Sequence, residues 1–150
     1  MKIVSLASTN ITINNTNRGD IISFGGAGKM IGEVKYDFAE EMFNIENAPD
    51  GGYAFGHNAA KNGTVSIQFL QTCPHIDTLI EYFLWCRDNP ELAAAGITIT
   101  DSTGVIDMEA KNCLPVKIPE NVVGSSPANR TFEFICGEIL PKEYLRGGNN

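Results

Sequence analysis

His57 and His75 are the only histidines in the chain, and imidazole is the side chain most often used to move protons near neutral pH. His57 stands in a glycine-rich stretch and His75 just after a proline, and neither has a carboxylate at a telling spacing. Both read as surface or packing residues. Gly25-Gly26-Ala27-Gly28-Lys29-Met30 has the glycines and lysine of a phosphate loop. That loop also needs a glycine where Ser23 stands and a hydroxyl residue where Met30 stands, so the stretch reads as a connection between strands. Asp101 to Glu109 sets acids beside Gly104, but an EF-hand would need a side-chain oxygen where Val105 falls and a bidentate Glu where Asn112 falls. It reads as a hairpin. Asn10, Asn14, Asn62 and Asn129 each open an Asn-x-Ser/Thr triplet, which matters only in a secreted chain. Arg18-Gly19-Asp20 reads as a turn.

The four cysteines, Cys73, Cys86, Cys113 and Cys136, are too widely spaced for a zinc pair. They read as small buried side chains that stay reduced. No catalytic residue, cofactor site or metal site is expected. Glu40, Glu41, Glu46 and Asp50 gather in one stretch, either as a solvated loop or as a charged contact or channel lining. The chain has 150 residues and a formal charge of −7, with 11 basic residues against 18 acidic ones. That balance argues against tight nucleic-acid binding and attraction to an anionic membrane, although DNA could pass such a surface without sticking. The amino-terminal residues turn polar too soon for a signal peptide, and no apolar run of about 18 residues is present, so no membrane anchor is expected.

The elements that would hold these residues are mostly strands. Asn10–Asn14, Thr64–Phe69, Gly96–Thr100 and Arg130–Cys136 alternate polar and apolar residues, with Phe132, Phe134 and Cys136 on one face. Asp20–Phe24 and Ile31–Phe38 are weaker candidates, and Asp101–Gly104 turns the chain into a strand over Val105–Ala110. One helix is expected over about 74–88. Ile76, Leu79, Ile80, Phe83 and Leu84 make a single apolar stripe, Pro74 suits the first turn, and Asn89-Pro90 stops it. Thr72 or Cys73 is expected to cap its start. Residues 39–60 show neither period and read as a long loop, the kind of excursion that is usually functional. Residues 141–150 read as a flexible tail. The expected fold is one domain over 1–150, mainly β, an antiparallel sandwich or barrel with one flanking helix.

Asn62-Gly63-Thr64 through Thr72-Cys73-Pro74-His75-Ile76-Asp77-Thr78-Leu79-Ile80 resembles the central segment of tail tube proteins from contractile-tailed bacteriophages of the Mu-like and KPP10-like kind. In that family a glycine opens an alternating strand that runs into a Thr-Ser-Pro start of the sole helix. Gly63, Thr72, Pro74 and Leu79 match; Cys73 and His75-Ile76-Asp77 depart from the pattern. Ile97–Gly104, Ala110–Pro119 and Asn129–Phe134 resemble later segments of the same family in order and spacing.

The resemblance implies a structural virion protein and no enzyme. Six copies would form a ring, and rings would stack into a tube that conducts DNA into the host. A sheath would surround it, with baseplate and terminator proteins at its ends. The tube would reside in the virion tail after assembly in the host cytoplasm. Related folds build the inner tubes of type VI secretion and bacteriocin machines, the alternative role. Within this frame the 39–60 excursion is expected to reach a neighbouring subunit through Met42, Phe43, Ile45, Tyr53 and Phe55. Glu33, Lys35 and Asp37, alternating along one strand face, are expected to line the lumen.

Overall fold

Alternating β-branched and aromatic residues give each strand one face for a core and one for water. The structure, a computed structural model, describes residues 9–25, 31–70, 73–101, 106–121 and 129–142. The strands are β1 (Thr9–Asn15), β2 (Asp20–Gly25), β3 (Ile31–Phe38), β4 (Phe43–Asn47), β5 (Tyr53–His57), β6 (Gly63–Phe69), β7 (Ala95–Asp101), β8 (Ile106–Pro115) and β9 (Arg130–Pro141). Helix α1 (His75–Asp88) and a 3-10 turn (Pro90–Leu92) connect β6 to β7. The glycine-rich stretch at 26–30, Thr72, the turn tip at 102–105 and the tail from 143 lie outside the described residues.

Seven strands form one antiparallel sheet in the order β2-β1-β7-β8-β9-β6-β3. The mainly β, one-helix class read from the sequence is the class observed. The sheet coils strongly. Phe24 of β2 meets Phe69 of β6 edge to face, with ring centroids 5.5 Å apart, although four strands separate them in the sheet. It does not close into a barrel, because among the described residues no ladder joins β2 to β3. Among the described residues, both edge strands therefore keep one side unpaired.

Helix α1 fills the concave side. Phe83 packs edge to face on Phe132 and Phe134 of β9, at 5.2 and 5.3 Å. Its buried face comprises Ile76, Leu79, Tyr82, Phe83 and Cys86, so the stripe sits rotated from the expected one and leaves Ile80 and Leu84 only half-buried. Tyr82 can go inside because its hydroxyl finds partners: it donates to the Ala93 carbonyl and accepts from Asn15 Nδ2. Asn15 in turn holds the following turn, accepting from the backbone N–H groups of Asn17 and Arg18. The Arg18 guanidinium lies 5.5 Å from the ring centres of both Tyr82 and Trp85. The turn read at Arg18-Gly19-Asp20 thus clamps the helix as well. Pro74 occupies the cap position without a side-chain cap bond, and the Cys73 carbonyl accepts the Ile76 N–H; Thr72, the other residue expected to cap, lies outside the described residues.

Residues 39–60 are not a structureless loop. They form a β4–β5 hairpin, a second sheet of two strands. Its base is set where β3 and β6 end, with the Ala39 N–H donating to the Asn62 carbonyl. Next to that bond sits Gly63, paired with Phe38. A Cβ at Gly63 would collide with the Asp37 backbone carbonyl and the Ile139 side chain, so the close approach of β3 to β6 requires glycine there.

Candidate functional site

The hairpin keeps strict register: Phe43 faces His57, Ile45 faces Phe55 and Asn47 faces Tyr53. Side chains of directly opposed residues share a face. One face therefore carries Phe43, Ile45, Asn47, Tyr53, Phe55 and His57; the other carries Asn44, Glu46, Ala54 and Gly56. The apolar face is built as a surface in its own right. Phe43 stacks on His57 at 5.0 Å, and Tyr53 meets Phe55 at 5.5 Å. No described residue covers it: Phe43 is 65% exposed, Ile45 54%, Tyr53 67% and Phe55 71%, with Met42 at 69% just before the ribbon.

The turn is tied by the Ala48 N–H to the Gly52 carbonyl and by the Gly52 N–H to Asp50 Oδ1, with Gly51 at a φ of 92°. Asn58 Nδ2 donates to Glu40 Oε2 at the base. Glu40, Glu41, Glu46 and Asp50 give the ribbon four formal negative charges, and no Lys or Arg lies between residues 39 and 60.

Glu33, Lys35 and Asp37 are all exposed on one face of β3, as alternation requires, while Val34 and Tyr36 point to the core. Their row continues across the sheet, with Gln68, Ser66 and Thr64 opposite them on β6. Thr131, Glu133 and Ile135 of β9 follow. This convex face is mostly hydroxyl, amide and carboxylate.

The histidines and cysteines are placed for packing. His75 packs against Phe24 at 4.9 Å, and His57 belongs to the ribbon's aromatic face. All four cysteines are buried thiols. Cys113 of β8 and Cys136 of β9 are cross-strand partners. The hydrogen bond between them and burial push the Cys113 thiol up, away from the reactive thiolate. Among the described residues, no cluster of three or more His, Cys, Asp or Glu could hold a metal, and no helix is long and apolar enough to cross a membrane.

The described residues form a coiled one-helix sheet with an apolar ribbon displayed to solvent, and among them no metal-ligating cluster is gathered. The profile of the bacteriophage PhiTE tail tube protein family matches residues 5–142, and the chain belongs to that family. It is a tail tube protein, a structural component of the virion tail and not an enzyme. No curated protein sequence matches it.

Solved structures share its fold at low identity. A chain of the anti-feeding prophage (AFP) baseplate is 11% identical with a TM-score of 0.56, covering 93% of this chain and 95% of that one. A chain of the sheath/tube terminator of an extracellular contractile injection system, PVC, in the extended state is 10% identical with a TM-score of 0.55, covering 95% and 98%. A chain of the PVC sheath–tube complex is 12% identical with a TM-score of 0.54, covering 93% and 91%.

Proposed function

We propose that six copies of this chain close into a ring and that the rings stack into the conduit through which DNA leaves the particle and enters the host. The uncovered aromatic face of β4–β5 carries this reading. A two-stranded ribbon exposed on both faces is marginal alone, and an apolar patch of this kind on a soluble chain marks a contact surface. Met42, Phe43, Ile45, Tyr53 and Phe55 are the proposed inter-subunit contacts. The edges of β2 and β3, which no described strand pairs, add a second means of joining, by continuing the sheet from one subunit to the next. The fold shared with a sheath–tube complex, a terminator and a baseplate supports a contractile sheath around the tube, with terminator and baseplate proteins at its ends. Assembly would take place in the host cytoplasm.

Purified protein should give rings of about 100 kDa, six copies of a 16.3 kDa chain, or tubes built from them. Sedimentation and negative-stain imaging at increasing concentration check this, and a chain that stays monomeric throughout refutes it.

The polar convex face around Glu33, Lys35 and Asp37 is the proposed lumen wall. Glu33, Asp37 and Glu133 outnumber Lys35 there, so the wall is net negative and repels phosphates more than its scattered donors hold them, and DNA slides past it. Replacing Glu33 and Asp37 by lysine should leave tubes intact and make them retain DNA at low salt, with release as salt rises. Filter binding across a salt series measures this. Tubes that ignore DNA after the exchange would place the lumen elsewhere.

A further inference from the structure

A groove of about 430 Å³ lies between the end of α1 and the segment that continues β8, and it is lined by Phe83, Pro90, Leu114, Val116 and Ile118 among others. Leu114, Val116 and Ile118 remain 38%, 44% and 38% exposed there, with Leu92, the last residue of the 3-10 turn, at 42%. The groove is firmly built. The Val116 N–H donates to the Glu133 carbonyl at 3.0 Å, and Arg130 Nη2 donates to the Pro119 carbonyl at 2.7 Å. The charged residues lining it are Arg87 and Lys117, both basic. Arg87 also pairs with its neighbour Asp88 at 3.4 Å, in the open.

We propose that the apolar face of β4–β5 from one copy seats in this groove of a second copy. This rests on the assembly reading above and names the surface that receives the ribbon. The two surfaces match in three respects. The ribbon offers aromatic and aliphatic side chains that no described residue covers, and the groove is apolar and open. The ribbon carries four acids and no base, whereas the groove lining carries two bases and no acid. Their positions differ along the sheet as well. The ribbon springs from the Phe38–Gly63 end of the β3–β6 ladder, while the segment from Val116 to Pro119 runs beside Glu133 and Arg130 toward the Phe69 end. Those ends are six residues apart, about 20 Å of strand. A contact between different patches on identical chains is head-to-tail, and such a contact repeats from copy to copy without being used up.

The test is cross-linking through Phe55→Cys and Val116→Cys, both at exposed positions, in a chain whose native thiols are all buried. Under mild oxidation the double variant should give a ladder of covalent oligomers. An equimolar mixture of the two single variants should stop at dimers, and each single variant alone should give none. A ladder confined to the double variant establishes the pairing. Dimers from Phe55→Cys alone would mean that ribbons meet each other, and would overturn it. Intact tubes with no cross-link would also overturn it, leaving the groove for the sheath or another partner while the tube reading stands. Wild-type protein that never assembles would remove both readings together.

Discussion

A chain in which residues 43–57 are replaced by two glycines should fold as the wild type does and build no tube. Met42 and Asn58 already face each other, with the Asn58 N–H donating to the Met42 carbonyl at 2.8 Å, so a two-residue turn can bridge them. No residue from 39 to 62 is buried, and none belongs to the core, so the excision leaves the seven-stranded sheet and α1 untouched. The melting temperature of the unassembled subunit should therefore stay close to that of wild type. Association should suffer heavily. Burying a large apolar side chain is worth about 1.5–3 kcal/mol, and the ribbon presents four on one face. Losing even about 6 kcal/mol per contact weakens association by about four powers of ten. Circular dichroism, melting and negative-stain imaging of the same sample separate the two effects. Tubes of normal appearance from the excised chain would refute the role given to the ribbon.

Phe83→Ala should do the reverse. The ring is 4% exposed and touches Phe132 and Phe134 edge to face across the helix–sheet interface. Removing it leaves a cavity between rigid aromatic rings that cannot collapse to fill it, at a cost of about 3–5 kcal/mol. For a chain of this size that is a fall in melting temperature on the order of 10 °C. The measurement belongs on unassembled protein, because assembly adds stability by mass action. Phe55→Ala is the matched control. It removes the same group from a 71% exposed site and should leave the subunit's melting nearly unchanged. A Phe83→Ala subunit that melts with the wild type would mean that α1 does not depend on this contact.

Much of the fold is legible in the chain because alternation survives wherever one face is buried. Ile11 and Ile13, Val65, Ile67 and Phe69, and Phe132 and Phe134 all lie inside as their spacing requires. Glu33, Lys35 and Asp37 were legible as one exposed face for the same reason. The ribbon was harder to read. Phe43-Asn44-Ile45 alternates, but over a short run, and Ala54 and Gly56 blur the alternation opposite. Pro49-Asp50-Gly51 is a turn signal that could have joined the two runs into a hairpin. The rotation of α1 was not legible at all, because Tyr82 goes inside only where Asn15, 67 positions away, and the Ala93 carbonyl meet its hydroxyl. The groove is equally hidden, being made by the end of a helix and by a strand extension some thirty residues later.

The ribbon's independence from its own sheet also bears on how growth begins. A free subunit must hold β4 and β5 in register unaided, and a lone pair of strands does this at little net gain. On the proposed docking, a subunit landing on an existing end would meet a preformed seat, so ordering and docking would happen together. Starting a new ring would lack that seat at its first contacts and would be the slower event. Elongation from a seed would then outrun spontaneous nucleation, and the final length would be decided by whatever starts and stops the polymer, not by the subunit itself.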